Sequence, residues 1–192
     1  MNKVVIDEFV SFDKLRTNGI KKFLFLFLIS FQIQAVQVIM LMGPSCAGKS
    51  TLSKHLCTEL NVKKEQWQVI DFDEVDENIE QLITATNDCL RKNINVIIDT
   101  NTYEHQMEKQ FSGAPAITKI IVNAPLEVLL QRDAKRTEHF KRNEERASRC
   151  RDFVINSFNR SLTWTSDLAI DSSQQTVQES CKIILSERLS HQ

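Results

Sequence analysis

The residues best suited to chemistry in this chain form one short run, Gly43-Pro44-Ser45-Cys46-Ala47-Gly48-Lys49-Ser50. The run fits the pattern G-x-x-x-x-G-K-[S/T], in which backbone N–H groups cradle phosphates. The two glycines supply the backbone freedom that such a tight loop requires. In this pattern the lysine reaches the β- and γ-phosphates of a nucleoside triphosphate, and the final hydroxyl binds Mg²⁺.

The segments on either side of the run have the periods of a strand and of a helix. Residues 36–42 are mostly apolar and of strand length, and Leu52, Leu56 and Leu60 recur at helical spacing in residues 49–60. A helix N-terminus directed at the loop adds a positive dipole end to the phosphate site. We therefore predict that ATP and Mg²⁺ bind here, with these residues in contact: Gly43, Pro44, Ser45, Cys46, Ala47, Gly48, Lys49, Ser50 and Thr51.

Three aspartates end the next two predicted strands. Asp71 and Asp73 lie at or just beyond the end of the second strand, and Asp99 ends the third. Ligands of an open parallel sheet lie at the carboxyl ends of its strands, where acids can bind Mg²⁺ or accept a hydroxyl proton. We predict Asp99 and Ser50 as metal ligands and either Asp73 or Asp71 as the catalytic base. Acids of this kind also cap strand ends and helices, and that alternative stays open.

A basic segment follows the fourth predicted strand. Arg132 and Arg136 lie four residues apart, on one helix face, and further arginines continue to Arg151. Arginine neutralises the oxygens of a transferring phosphoryl group with a rigid fork, so these two residues are predicted to stabilise that group from a helical lid, together with Lys49 of the loop. Glutamates are interleaved with these arginines. The alternative is therefore that the arginines form salt bridges with them on a solvent-exposed helix face.

Composition sets the broad class. The chain has 192 residues, 42% of them hydrophobic and 26% charged, which suits one soluble α/β domain. A formal net charge of −1 gives no reason to expect nucleic acid as a partner. The five cysteines are scattered and lack metal-ligand spacing, so they are predicted to be reduced thiols.

The first 35 residues differ from the rest and are predicted to be an N-terminal extension to a domain at 36–192. Within them, residues 21–35 combine two lysines, a short apolar run and a small residue at Ala35, the pattern of a secretory signal. This apolar run is far short of the ~20 residues of a stable membrane span. We expect a cytoplasmic protein, with export through this segment as the alternative.

From residue 36 the chain alternates strands and helices, which predicts a three-layer α/β fold with a parallel sheet between helices. The strands are predicted at 36–42, 67–71, 95–99, 117–122 and 168–171. The helices are predicted at 49–60, at 75–91, from Pro125 onward and at 176–189.

These motifs together resemble the small P-loop kinases of the chloramphenicol phosphotransferase, adenylylsulfate kinase and zeta-toxin group, over roughly residues 36–190. The loop core Ser-x-Ala-Gly-Lys-Ser is similar to that of chloramphenicol phosphotransferases. Trp67 followed by Val-Ile-Asp-Phe-Asp is similar to that family's strand before its catalytic acid, and matches it to Asp73. Residues 123–133 resemble the segment before the lid of adenylylsulfate kinases. The resemblance implies a nucleotide-kinase-like P-loop fold with a basic helical lid.

The same resemblance implies an enzyme that moves the γ-phosphate of ATP to a hydroxyl of a small molecule, as chloramphenicol phosphotransferases do. One alternative is a zeta-toxin-like kinase of nucleotide sugars. A basic residue two or three positions after Asp73 would favour it, and Val75 and Asp76 stand there instead. Another alternative is a switch that binds nucleotide without turnover.

Overall fold

Five parallel strands form the central sheet of the computed structural model, in the order β2-β3-β1-β4-β5. The structure describes residues 36–63, 65–75, 78–104, 107–113 and 115–190, which lie in the unit Ala35–Gln192. The strands are β1 Gln37–Met42, β2 Trp67–Asp71, β3 Asn95–Thr100, β4 Ala116–Asn123 and β5 Leu168–Asp171. The helices are α1 Lys49–Val62, α2 Ile79–Arg91, α3 Leu126–His139, α4 Glu144–Ser161 and α5 Val177–Ser190.

The register of the sheet brings the predicted site residues to one edge. Leu41 of β1 pairs with Asp99 of β3, which in turn pairs with Asp71 of β2. Because all of these strands are parallel, their carboxyl ends open on the same side as the loop after β1. The alternation of strands and helices in the sequence predicted a three-layer α/β fold with a parallel sheet. This prediction is confirmed.

The sheet separates two hydrophobic cores because alternate residues of each strand face opposite sides. In β1, Ile39 and Leu41 pack into one core with Leu56 of α1. Val38, Met40 and Met42 pack into the other core, which contains Leu82 and Leu90 of α2. Both faces of the central strands are buried, which explains why β1 is almost continuously apolar and why residues 96–98 of β3 are all apolar.

The second helix begins later than the apolar pattern predicted. Residues Phe72–Val75 form a 3₁₀ turn, and α2 begins at Ile79 instead of Val75. The Asn78 side chain accepts a hydrogen bond from the backbone N–H of Gln81, which is the geometry of a helix N-cap. The prediction of a helix from Val75 was therefore wrong at its start, because the capping residue decides that boundary.

Helices α3 and α4 form a hairpin that is joined by a buried ion pair. Asp133 lies in α3 with 5% of its surface exposed, and its Oδ1 accepts a hydrogen bond of 2.9 Å from Arg142 Nη1 in the connecting turn. The Arg142 side chain is itself only 15% exposed. The Arg142 guanidinium also donates to Thr137 Oγ1. One arginine of the turn therefore binds two residues of α3.

We expect Asp133→Ala to lower the free energy of unfolding by about 3 kcal/mol, because it leaves a mostly buried guanidinium without its carboxylate. Urea denaturation followed by circular dichroism measures this change. Arg91→Ala is the matched control, since it removes an exposed pair with Asp88 and should cost less than about 1 kcal/mol. Equal losses in the two variants would show that the Asp133–Arg142 pair does not stabilise the hairpin.

No helix within the described ranges is long and apolar enough to cross a membrane. The predicted extension at residues 1–35 and the signal-like segment at 21–35 lie outside the residues that the structure describes.

Candidate active site

The loop between β1 and α1 adopts a tightly packed conformation that its glycines permit. Gly43 lies directly against the backbone of β4, where an added Cβ would overlap the carbonyl oxygen of Val122. Gly48 has a φ of 92°, and Cys46 has a φ of 66° although it is not glycine. Both angles lie in the left-handed region, which turns successive N–H groups toward one concave side of a loop.

A hydrogen bond from outside the loop fixes its middle. The backbone N–H of Ser45 donates to Ser157 Oγ of α4 at 3.1 Å, and the Ser157 hydroxyl donates to the carbonyl of Val154. Ser157 is fully buried. Helix α4 therefore positions the loop directly, in addition to carrying basic side chains.

Lys49, the first residue of α1, extends into the site from a buried position. Its Nζ donates to the carbonyl of Pro44 at 3.1 Å and lies 3.9 Å from Asp99 Oδ1. Burial lowers the pKa of Lys49, and the nearby carboxylates of Asp99, Asp73 and Asp71 oppose that shift. A cation held in this way is directed at the space in front of the loop.

Asp99 at the end of β3 is 3% exposed and has one unused oxygen. Its Oδ2 has no hydrogen-bond partner among the residues that the structure describes. Burial raises the pKa of Asp99, while the charge of Lys49 and a hydrogen bond from Ser50 oppose the shift. A buried, unpartnered carboxylate oxygen beside a serine hydroxyl is a donor set that suits a hard cation such as Mg²⁺.

Asp71 and Asp73 have different environments, which separates two residues that both remained candidates for the base, with the family resemblance matching Asp73. Asp71 Oδ1 accepts a hydrogen bond from the backbone N–H of Asp73 at 3.0 Å, so it holds the 3₁₀ turn together. The Asp73 side chain is exposed, and its Oδ1 accepts a hydrogen bond from Asn101 Nδ2 at 3.4 Å. Asp73 is thus the freer of the two carboxylates.

These groups surround one open pocket, here called the phosphate pocket. Of the two predicted arginines, Arg136 reaches it from α3, and its Nη1 lies 3.6 Å from Cys46 Sγ. The lining residues are Ser45, Cys46, Gly48, Lys49, Ser50, Thr51, Asp71, Asp73, Asp99, Asn101 and Arg136.

A second pocket, here called the nucleoside pocket, adjoins the first and is more apolar. Arg132 lies here and not in the phosphate pocket. Its guanidinium donates to the carbonyl of Cys46 and to both oxygens of Ser172, at 3.1, 2.9 and 2.7 Å. The lining residues are Cys46, Ala47, Gly48, Thr51, Leu52, Val122, Arg132, Arg136, Ile170, Ser172, Gln175, Val177 and Ser180.

A third pocket, here called the arginine pocket, is also lined by Arg136. Arg142, Arg146 and Arg149 line it together with Phe153 of α4, and it shares Ser45 with the phosphate pocket. The interleaved glutamates predicted surface ion pairs in the basic segment. One such pair is present, since Arg149 Nη2 lies 3.4 Å from Glu145 Oε1. The segment therefore contains both site-lining and solvent-facing arginines.

Several polar residues of the site were not predicted from the sequence: Asn101, Ser157, Ser172, Gln175 and Ser180. Asn101 follows Asp99 by two positions at a strand end, which is a usable signal for a site residue. Ser157 lies within an amphipathic helix and Gln175 in a loop. Neither belongs to a pattern that indicates its contact, because each contact joins segments distant in the chain.

The sheet order, the loop after β1 and the acids at the ends of β2 and β3 together define a small P-loop kinase of the nucleotide-kinase-like type. Residues 38–162 match the AAA_33 family, described as an AAA domain, and the chain belongs to that family.

Individual relatives agree with this class. The adenylyl-sulfate kinase of Deinococcus deserti is 27% identical over 115 residues, which cover 52% of this chain and 64% of that protein. The chain thus aligns with less than two thirds of the length of this curated relative.

Two solved structures share the fold. The adenylyl-sulfate kinase of Mycobacterium tuberculosis, in complex with AMPPNP and APS, superposes with a TM-score of 0.56 at 15% identity, covering 79% of this chain and 96% of that one. An unliganded sugar kinase of Janibacter sp. HTCC2649 gives 0.54 at 16% identity, covering 79% and 93%.

Proposed function

We propose that the protein is an ATP-dependent phosphotransferase that moves the γ-phosphate of ATP to a hydroxyl of a small molecule. The observation that carries this proposal is the convergence of Lys49, Ser50, Asp99 and Asp73 on one pocket at the end of a phosphate-binding loop. A pocket for phosphates alone would not need an exposed carboxylate opposite the lysine. A kinase needs one to receive the proton of its acceptor.

One nucleotide can occupy two of the pockets at once. The phosphate and nucleoside pockets share Cys46, Gly48, Thr51 and Arg136, so a ligand passes from one to the other along the loop. Backbone N–H groups and Lys49 would hold the β- and γ-phosphates, as the phosphate-binding pattern predicts. The ribose and the base would lie beside the guanidinium of Arg132. Three hydrogen bonds to Cys46 and Ser172 fix the position of this guanidinium.

The residues present fit a magnesium ion. Ser50 Oγ and the free Oδ2 of Asp99 would hold it, the carboxylate directly or through water. When bound, the ion neutralises charge on the β- and γ-phosphate oxygens.

The chain's own residues account for the remaining roles. Asp73 accepts the proton of the acceptor hydroxyl, whose oxygen bonds to the γ-phosphorus as the bond to the bridging oxygen breaks and ADP leaves. Lys49 and Arg136 neutralise the charge that develops on the transferring group. Asn101 orients the Asp73 carboxylate through its 3.4 Å hydrogen bond.

Two classes of acceptor are consistent with this chemistry. A neutral alcohol of the chloramphenicol type would need only Asp73 and an apolar contact surface. An anionic acceptor such as a nucleotide sugar is favoured by one specific observation, the arginine pocket that opens beside Ser45 and Arg136. Arginine forks bind phosphate groups bidentately. Arg142 and Arg149 are already paired with Asp133 and Glu145, so Arg136 and Arg146 are the residues of this pocket that suit an acceptor that carries phosphate.

A transfer assay with γ-labelled ATP tests the proposal. The full chain is incubated with Mg²⁺ and separate panels of alcohol-bearing antibiotics, nucleosides, adenylylsulfate and nucleotide sugars. Label appearing in one panel establishes a kinase and identifies the acceptor class. Nucleotide binding with no label in any panel would contradict the proposal and favour a non-catalytic nucleotide-binding switch.

A further inference from the structure

The phosphate-binding loop contains a strained turn at Cys46. The backbone N–H of Ala47 donates to the carbonyl of Pro44 at 3.3 Å, which closes a turn over residues 44–47. Cys46 is the third residue of this turn and has a φ of 66°, whereas the φ of Ser45 before it is not positive. This combination matches a type II turn, which favours glycine or asparagine at its third position. A cysteine therefore keeps this conformation only where surrounding contacts hold it.

Side chains from the α3–α4 hairpin hold the peptides on both sides of the strained residue. Ser157 Oγ of α4 accepts the N–H of Ser45 at 3.1 Å, and Arg132 of α3 donates to the carbonyl of Cys46 at 3.1 Å. The Ser157 hydroxyl donates its own proton to the carbonyl of Val154 at 3.0 Å, so its lone pairs are left for the loop. Ser157 is also 0% exposed, so no water competes for this contact.

The peptide between Ser45 and Cys46 is the part of the turn that remains available to a ligand. Cys46 lines the phosphate pocket, and its N–H makes no hydrogen bond to any residue within the described ranges. Type I and type II turns differ chiefly in the orientation of this central peptide. A change from type II to type I would relieve the strain at Cys46 and would turn its N–H to a different direction.

We propose that Ser157 is a positioning residue of the phosphate-binding loop, which keeps the turn in its left-handed form and the Cys46 N–H directed at the phosphates before nucleotide binds. The inference rests on the proposed function, because it requires a nucleotide at this loop. Ser157 is not one of the described residues that line the phosphate pocket. Its contribution to affinity is preorganisation, which removes the cost of reordering the loop on binding.

Calorimetric titration of the full chain with Mg²⁺ and AMP-PNP measures this contribution. Ser157→Ala should weaken binding roughly 5- to 30-fold, because the loop must then regain a left-handed conformation that a non-glycine residue avoids. Cys46→Gly supplies the second background, since glycine adopts a positive φ without that cost. In this background the same serine substitution should weaken binding by less than about twofold.

Ser161→Ala is the matched control. Ser161 lies one turn further along α4, is 3% exposed, and donates its hydroxyl proton to the carbonyl of Phe158. This variant should bind AMP-PNP as wild type does, and thermal unfolding verifies that each variant is folded. An equal loss in Ser157→Ala and Ser161→Ala, or an undiminished loss in the Cys46→Gly background, overturns the inference while nucleotide binding stands. Failure of wild type to bind AMP-PNP overturns the proposed function as well.

Amide hydrogen exchange of the wild-type chain without nucleotide tests the same contact without a substitution. The Ser45 N–H should be protected from exchange, because it is bonded to a buried hydroxyl on a packed helix. Exchange of this N–H at the rate of an unbonded amide, in the folded chain, would show that Ser157 does not hold the loop before nucleotide binds.

Discussion

Lys49→Ala is expected to reduce phosphoryl transfer by at least about 10²- to 10³-fold, the loss that follows removal of one donor to a developing oxyanion. The reason is that Lys49 Nζ points into the phosphate pocket from a position held by the carbonyl of Pro44. Steady-state assays of label transfer from ATP measure the change once an acceptor is known. Before that, the affinity for AMP-PNP reports the lost phosphate contact.

The substitution removes the positive charge that opposes the burial-driven rise in the pKa of Asp99, so that pKa should rise further in the variant. Lys54→Ala is the control, since Lys54 lies exposed on the same helix and should retain full activity. Full activity of Lys49→Ala, with its circular dichroism spectrum unchanged, would contradict the catalytic assignment of the loop.

Asp73→Asn is expected to reduce turnover by about 10²- to 10⁴-fold, the usual contribution of a positioned general base. Its affinity for AMP-PNP should change little, because Asp73 acts on the acceptor and not on the nucleotide. Asparagine keeps the size of the side chain but cannot accept the proton. The comparison of kcat with the nucleotide dissociation constant therefore separates a catalytic role from a binding role.

Two neighbouring variants make this prediction specific. Asp71→Asn retains an oxygen that can accept the Asp73 N–H, so it should preserve the turn and cost much less activity. Glu74→Gln alters an exposed carboxylate on the same turn and should have no effect. Equal losses for Asp71→Asn and Asp73→Asn would mean that the base is not Asp73 alone.

Much of the fold could be predicted because each strand is a short apolar run with clear ends. The strands Trp67–Asp71 and Leu168–Asp171 begin and end where the sequence predicts. The start of α2 could not be predicted in this way, because apolar spacing alone does not distinguish a 3₁₀ turn from the first turn of a helix. There Asn78 determines the boundary through its side chain.

The centre of the candidate site could also be predicted, for a topological reason. The ends of adjacent parallel strands meet, so Asp71 and Asp99 had to lie near the loop once the strands were assigned. Position at the strand end did not distinguish Asp71 from Asp73, and only the family resemblance favoured Asp73, because the difference depends on which carboxylate accepts a backbone N–H.

Contacts between distant segments account for what the sequence did not reveal. Ser45 and Ser157 are 112 positions apart, and no spacing rule relates them. Arg132 and Arg136 share a helix face, yet the packing of the β5–α5 loop holds the first beside Ser172 and leaves the second at the phosphate pocket. Such differences arise from tertiary packing between distant segments, which the helix and strand periods of the sequence do not describe.

A crystal structure of the full chain with Mg²⁺ and AMP-PNP tests most directly whether one nucleotide spans both pockets. The predicted result has the β- and γ-phosphates against the loop and Lys49, the γ-phosphate facing Asp73 and Arg136, and the base in the pocket beside Arg132. A nucleotide bound elsewhere, or one whose phosphates avoid Lys49, would contradict the proposed kinase site.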